Sequence, residues 1–423
     1  MATLRQSVIL DADLECQSAA ARHRYLERRL AATVQHGYAH AAGVRQAMQN
    51  AKVGPNDIGT LADLQRLPIT RKDDLAALQS ASLPFGGLNA LPVSSLQRVF
   101  MSPGNIYDPQ GQGGDFWRFR PALAAAGFRA GDLVQNTFSY HLTPAGFMFD
   151  EALRSLGCVV IPAGTGQTEL QVRVAGDLGV TGYVGTPSFL YTLLGKARES
   201  GVALRIEVAF VSAEMLPESL RSELENDFGV RVLQGYGTAD LGLLAYECPQ
   251  KNGMHLHPEA IVELLDRETG VAALPGQPGE IIATIFDEAY PLLRFATGDL
   301  SSFAAASPCP CGRTAPRLTG LLGRVGDAVK VKGMFIRGSQ MDAVFKRFAQ
   351  VARYRAIVSR EQHQDRLQFE VELASPEPDA AALSARLTEA LRDELKVRGE
   401  VQIVAVGAIP QGARKIDDRR VWR

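Results

Sequence analysis

The chain has 423 residues, with 45 basic and 46 acidic side chains for a net charge of −1, and 46% hydrophobic against 22% charged residues. That length suffices for about two to three domains. The composition excludes disordered, collagen-like and coiled-coil classes, and the absence of excess basic charge argues against a nucleic-acid partner.

Met1 to Asp13 holds only a short apolar patch interrupted by acids, and no long hydrophobic run follows. Neither a signal peptide nor a transmembrane helix is expected, and no membrane partner. From about Asp11 to Ser80 the chain is rich in Ala, Leu, Arg and Gln, with Ala20, Tyr25, Leu30 and Val34 at helical spacing. This predicts a helical lead-in, to about residue 90, that packs over the main domain. Gly157–Pro162 and Gly182–Pro187 then read as short apolar strands ending in glycine or proline turns. Ile206–Val211, Pro217–Asn226 and Val230–Leu233 read as strand, helix and strand, which makes a right-handed parallel unit. An α/β fold follows, and ligands in such sheets gather outside the carboxyl ends of the strands. Three candidate loops sit there: Thr186–Ser188, Ser212–Glu214 and Gly235–Asp240.

Glu280–Ile285 and Ala328–Lys332 are shorter strands. Beyond Gly333 the order is helix (Gln340–Phe348), strand (Tyr354–Ser359), strand (Arg366–Leu373), helix (Ala380–Leu395) and strand (Val401–Val406), which suits a small α+β domain. The glycines of Gly323-Arg-Val-Gly-Asp327 mark a boundary that can also hinge. The expected division is a large N-terminal α/β domain with parallel sheets, 1–323, and a small C-terminal α+β domain, 324–423.

In Gly235-Tyr-Gly-Thr-Ala-Asp240, Asp240 stands where a dinucleotide fingerprint needs its third glycine. Two readings remain. One is a tight turn with a solvated Asp240. In the other, Gly235 and Gly237 let the backbone approach a ligand, Tyr236 offers a flat face to a purine and Asp240 holds a divalent cation near phosphates. Asp299, after Thr297-Gly298, could accept both hydroxyls of a ribose, and Arg324 could reach the same sugar or its phosphate. Five cysteines, an odd number, make no disulfide framework and point to a reducing cytoplasm. Cys309-Pro-Cys311, Cys248 and His255 supply three thiolates and an imidazole, a closed set for structural zinc, with His257 competing for the fourth place. Cys16 and Cys158 read as core residues.

The order Tyr236-Gly237, Tyr290…Thr297-Gly298-Asp299, Gly323-Arg324, Lys332-Gly333 and a lysine near the C-terminus resembles the adenylate-forming superfamily. Within it the likeness is to phenylacetate-CoA ligases, over roughly Arg98 to the C-terminus, including Gly333-Met-Phe-Ile-Arg-Gly-Ser-Gln340. The resemblance implies ATP-dependent activation of a small aryl or hydrophobic carboxylate to an acyl-adenylate, rotation of the small domain and transfer to CoA, in a cytoplasmic protein that could be a homodimer. By matching motifs, Ala213, Glu214, Gly235, Tyr236, Gly237 and Thr238 would line the nucleotide site, Asp240 would serve Mg2+, and Asp299 with Arg324 would hold the ribose of ATP or AMP. Family members carry a similar cysteine and histidine arrangement, which supports Zn2+ at Cys248, His255, Cys309 and Cys311. The acid pocket would begin at Phe138–Phe147, with Tyr140 and His141 facing the acid and Gly146 leaving room for it.

The chain departs from that pattern in four places. Of the family's phosphate loop, Met101–Gly111 keeps Ser102 and Gly104 but not the threonines or the lysine; two prolines stiffen it, and Asp108 would set negative charge where phosphates lie. Asp240 replaces a glutamate. Lys415 fits the catalytic lysine once the alignment shifts past Ala413, with Arg414 as the less apt substitute. Gly326 replaces an acidic hinge residue. Two alternatives to the CoA ligase therefore stand: the same activation with a non-CoA acceptor, or a silent relative that only binds a nucleotide or acyl ligand.

Overall fold

The computed structural model describes residues 5–420 apart from 103, 267, 268, 275, 326–328, 333, 362, 376, 378 and 411. Gly326 and Asp327 of the expected hinge, Ala328 of the expected strand Ala328–Lys332, Gly333 and Pro103 of the expected phosphate loop lie outside the described residues. The chain divides into two compact units, Met1–Ala213 with Glu223–Gly323, and Glu214–Ser222 with Arg324–Arg423. Among the described residues no helix is long and apolar enough to cross a membrane.

The first unit is built on one large mixed sheet. Its parallel half runs, in spatial order, Val159–Pro162, Leu133–Asn136, Gly182–Gly185, Val208–Val211 and Arg231–Thr238. The central strand Val208–Val211 is buried along its whole length, as a continuous apolar run in a sheet covered on both faces requires. Beyond Arg231–Thr238 the sheet continues through Gly242–Glu247, Met254–Leu256, Arg317–Arg324, Phe295–Phe303, Gly279–Ile285 and Ala260–Leu265. The parallel-sheet expectation thus covers half of the sheet; the rest is largely antiparallel. Thr186–Ser188, a candidate ligand loop from sequence, instead starts the helix Pro187–Glu199, whose first turn Thr186 caps by accepting the Phe189 amide.

The lead-in consists of the helices Ala12–Glu15, Ala19–His40, Ala42–Asn50 and Leu75–Ala81, the last two separated by short 3-10 turns and the strand Thr70–Arg71. Leu30 and Val34 are fully buried, Tyr25 is half-buried and Ala20 is exposed. The segment is also stitched into the sheet, because Thr70–Arg71 pairs in parallel with Phe295–Phe303. This pairing delivers Lys72 to the interior, where it is buried.

The second unit carries a four-stranded sheet in the order Glu400–Val404, Gln364–Leu373, Val351–Glu361 and Ile416–Asp418. Its middle pair is antiparallel and both outer pairs are parallel. Ile416–Asp418 is too short and too acidic to announce itself as a strand. The helix Ala380–Leu395 places Leu383, Leu387, Leu391 and Leu395 one turn apart, and all four are buried. That face stabilises the unit by about 1.5–3 kcal/mol per leucine. Leu387→Ala should cost about 2–5 kcal/mol, read as lost hydrogen-exchange protection across residues 351–404 while protection across residues 182–247 is kept.

Candidate active site and metal centre

The strand Arg231–Thr238 carries Tyr236, whose hydroxyl donates to Asp299 Oδ2 at 2.8 Å, joining residues 63 positions apart. Both are buried. Asp299 is steadied from its own strand, where its amide donates to Thr297 Oγ1 and that hydroxyl donates to the Ile281 carbonyl, each at 3.1 Å. Two residues singled out separately in the sequence are therefore one unit of structure. The Tyr236 ring belongs to the larger apolar core, so its hydroxyl, more than an open flat face, is what it offers here. Gly235 and Gly237 are also required by the sheet: an added Cβ would stand 2.5 Å from Phe210 Cζ in one case and 2.5 Å from the Gly242 carbonyl oxygen in the other. Thr238 Oγ1 accepts the Leu241 amide at 3.1 Å and shapes the turn that carries Asp240.

Ser212 donates its hydroxyl to the Gly235 carbonyl at 2.9 Å. The next residue, Ala213, has φ of 71°, a left-handed conformation that costs a residue with a Cβ about 1–2 kcal/mol. Such strain concentrates at working sites. Glu214, Arg324 and Lys415 belong to the second unit. There Glu214 lies in the field of Arg360, and Lys415 Nζ donates to Asp342 Oδ2. Arg414 is exposed.

The expected phosphate loop is a regular hairpin. Arg98–Ser102 pairs antiparallel with Ile106–Gln110, and Gly104 and Asn105 turn it at φ of 99° and 59°. Ser102 is buried, its hydroxyl donating weakly to the Ile106 carbonyl at 3.5 Å. Asp108, expected to set negative charge where phosphates lie, is buried beside Asp240 and Lys72. Lys72 Nζ donates to Asp240 Oδ2. Asp240 Oδ1 and both oxygens of Asp108 accept no hydrogen bond of full geometry; the Asp108 carboxyl lies close to the Ser102 hydroxyl and to the Asp240 carboxyl. Burial, and next the charge of Asp240, push the Asp108 carboxyl well above the ordinary carboxylate range, with Lys72 offsetting part of this. Three unclaimed carboxylate oxygens are a donor set for a hard divalent cation, so these residues fit Mg2+. Lys72 went unnoticed because Thr70-Arg-Lys-Asp-Asp74 reads as a solvated charge run; its signal was the apolar stretch before it, which buries the chain.

The four cysteine and histidine candidates converge. The ligand atoms of Cys248, His255, Cys309 and Cys311 all lie within 4.8 Å of one another. Cys248 Sγ is 3.6 Å from Cys309 Sγ, and Cys311 Sγ is 3.5 Å from His255 Nε2. Tetrahedral zinc with bonds of about 2.3 Å to sulfur and 2.0–2.1 Å to nitrogen needs separations of about 3.5–3.8 Å. His255 Nδ1 faces the Ala315 carbonyl at 3.3 Å, which orients the ring. Burial pushes the Cys248 thiol up to about 12 and His255 down to about 4. At Cys309 burial acts upward too, but bonds from the Cys311 amide and its thiol neighbours prevail and lower it. His257 stands apart: its Nδ1 accepts the Glu259 amide at 3.1 Å and its Nε2 has no partner. Cys158 is buried as expected, but Cys16 is half-exposed, because its short helix Ala12–Glu15 buries Glu15 instead.

At the expected acid pocket, the Tyr140 hydroxyl accepts from Asn136 Nδ2 at 2.8 Å and donates to Asp150 Oδ2 at 3.1 Å. Gly146 does not leave room for an acid: a Cβ there would stand 2.8 Å from the Tyr140 ring, which fills the space. His141 is exposed. Tyr140 instead opens an aromatic row, with Phe147 at 5.2 Å, Phe100 5.4 Å beyond it and Trp117 5.8 Å further.

Residues 135–284 match the AMP-binding enzyme family and residues 333–421 the AMP-binding enzyme C-terminal domain. The chain is 30% identical to a phenylacetate-coenzyme A ligase of Thermus thermophilus, covering 91% of this chain and 93% of that protein. It is 27% identical to the phenylacetate-coenzyme A ligase of Escherichia coli, covering 92% of each. A crystal structure of 2-hydroxyisobutyryl-CoA ligase in complex with 2-HIB-AMP and CoA is 25% identical and superposes with a TM-score of 0.89, covering 96% of this chain and 92% of that one.

Metal analysis of protein purified without added zinc should find close to one zinc per chain, with most of it lost in Cys309→Ser. Asp108→Asn should raise the midpoint of thermal unfolding at pH 8, by an amount that shrinks toward pH 4. Below its unfolded value the carboxyl is protonated in both states. Above it, the folded form alone keeps the proton, and each tenfold fall in proton concentration across that window costs about 1.4 kcal/mol of stability. An equal gain at both pH values would show that Asp108 does not titrate this way.

Proposed function

The chain belongs to the phenylacetate-coenzyme A ligase family of AMP-binding enzymes, and from that premise we propose which of its residues carry the chemistry. The protein is an AMP-forming acid–CoA ligase. A carboxylate oxygen attacks the α-phosphorus of ATP and pyrophosphate leaves; the CoA sulfur then attacks the acyl carbon, releasing AMP and the thioester.

The observation that carries the assignment of residues is the buried contact between Tyr236 and Asp299. It holds the Asp299 carboxylate in a fixed orientation, in which it would meet the ribose hydroxyls without reorganisation. Arg324 would reach the same sugar, and Glu214 with Tyr236 and Ala213 would border the adenine. Ser102 and Gly104 would approach the outer phosphates from the hairpin turn. Asp240, with Asp108, would hold Mg2+, which when bound supplies positive charge against the phosphates; Lys72, donating to Asp240 Oδ2, holds that carboxylate in place. Lys415 would neutralise the charge that gathers between carboxylate and α-phosphate. The acid would be a small aryl or otherwise hydrophobic one, a reading supported by the aromatic row from Tyr140 to Trp117. Cys248, His255, Cys309 and Cys311 would form a closed, structural zinc site with no open position for substrate.

A panel of aryl and short-chain acids, assayed for pyrophosphate release with and without CoA, tests the reading. Lys415→Ala should cut acid-dependent pyrophosphate release about a hundredfold or more, yet leave most thioester formation from a supplied acyl-adenylate. Adenylation that persists in this variant but is lost in Arg414→Ala would move the role to Arg414.

A further inference from the structure

Lys415 stands at the head of the edge strand Ile416–Asp418, where its carbonyl accepts the Ala356 amide at 2.8 Å. Its stem crosses the first turn of the helix Gly338–Phe345. A Cβ on Gly338 would stand 3.1 Å from Lys415 Cδ and 3.6 Å from its Cβ. One turn further along the same helix face, Asp342 Oδ2 accepts from Lys415 Nζ. The other oxygen, Oδ1, accepts from the Tyr354 hydroxyl. Tyr354 comes from the neighbouring strand Val351–Glu361 and is itself clamped, its ring stacked on Phe345 at 4.0 Å and 22°. Burial acts to raise the Asp342 carboxyl, but the Lys415 ammonium and the Tyr354 hydroxyl outweigh it and hold the group below the ordinary range. Asp342 is thus a committed anion with one oxygen for each partner.

Asp342 alone bonds the ammonium, Tyr354 holds Asp342 in place, and Gly338, by lacking a side chain, leaves room for the lysine stem. A lysine engaged in this way has its charge already matched, so it is withheld from a carboxylate and an α-phosphate until it leaves. We propose that Asp342, Tyr354 and the bare surface of Gly338 form a holding cradle for the Lys415 ammonium, acting as positioning residues that set the balance between acyl-adenylate formation and thioester formation. This rests on Lys415 being the adenylation lysine. The pair is partly exposed, 45% for the Lys415 side chain and 32% for Asp342, so its release should change the balance modestly, by about two- to fivefold.

The test labels amines of the full chain with isotope-coded acetic anhydride and reads Lys415 against the exposed Lys396 by peptide mass spectrometry. Asp342→Asn should speed Lys415 labelling about two- to fivefold, Tyr354→Phe should act in the same direction, and Asp342→Glu should restore the slow rate. Gly338→Ala, which crowds the stem without touching charge, should move it as Asp342→Asn does. In Asp342→Asn the rate of acid-dependent pyrophosphate release, divided by the rate of thioester formation from supplied acyl-adenylate, should rise by a similar factor. Unchanged labelling overturns the cradle, and changed labelling with an unchanged ratio reduces it to a surface ion pair. Full adenylation by Lys415→Ala removes its catalytic meaning by another route, since the assignment of the lysine itself then fails.

Discussion

The candidate site depends on one reversal of direction, where the strand Arg231–Thr238 leaves the parallel half of the sheet and returns antiparallel as Gly242–Glu247. The return is tight enough that Gly237 lies against the Gly242 carbonyl, and Gly242 itself, at φ of 67°, has the Trp117 carbonyl 2.7 Å from where a Cβ would be. Any side chain at these positions would push the two strands apart, and with them the groups they carry. Tyr236 lies just before the reversal and reaches Asp299, while Asp240 lies within it and reaches Lys72. Ligands collect at the carboxyl ends of parallel strands because backbone and side chains diverge there. Here the last parallel strand uses that end to hand its side chains to the antiparallel half.

The cluster of Lys72, Asp240 and Asp108 makes little sense as a device for stability alone. Burying a carboxylate costs several kcal/mol after relaxation, and an apolar replacement for a buried ion pair is often neutral or stabilising. Three oxygens of the cluster also have no hydrogen-bond donor. An arrangement that is incomplete in the resting protein and sits on the same hairpin and turn that the nucleotide reading invokes is best understood as waiting for positive charge. This also explains how an acidic residue can occupy that hairpin: Asp108 points inward, beside Lys72 and Asp240, where burial disfavours its charge, instead of presenting charge to phosphates.

Much of this was legible in the sequence wherever pattern and packing coincide. The helix Ala380–Leu395 follows from leucines one turn apart, and the strands around Val208–Val211 from unbroken apolar runs. The cysteine and histidine cluster was legible because thiol and imidazole chemistry is restrictive, although only the fold separates His255 from His257: two residues apart on an extended segment, one reaches the thiols and the other a backbone amide. What the sequence concealed is long-range. Lys72 and Asp240 are 168 positions apart, and Lys415 and Asp342 are 73 apart. Gly146 misled for a related reason, since a missing side chain can make room for a ligand or for a neighbouring ring, and only the position of Tyr140 decides between them.

The metal centre bears on the same reversal from the opposite end. Cys248 directly follows the strand Gly242–Glu247, and His255 lies on the strand that pairs with it. A metal joining them to Cys309 and Cys311 therefore ties the far end of the hairpin to the connection ahead of Arg317–Arg324. That connection is anchored again by Arg313, which donates to Glu15 Oε2 at 2.6 Å, where Tyr246 also donates at 2.9 Å. Tyr246 is the register partner of Gly235 across the hairpin. The buried Glu15–Arg313 pair and the thiol cluster thus grip the strand opposite Tyr236 from one side while Asp240 and Lys72 grip the turn from the other. A closed four-ligand centre is suited to this work, because a bound metal with no exchangeable position adds rigidity without competing chemistry.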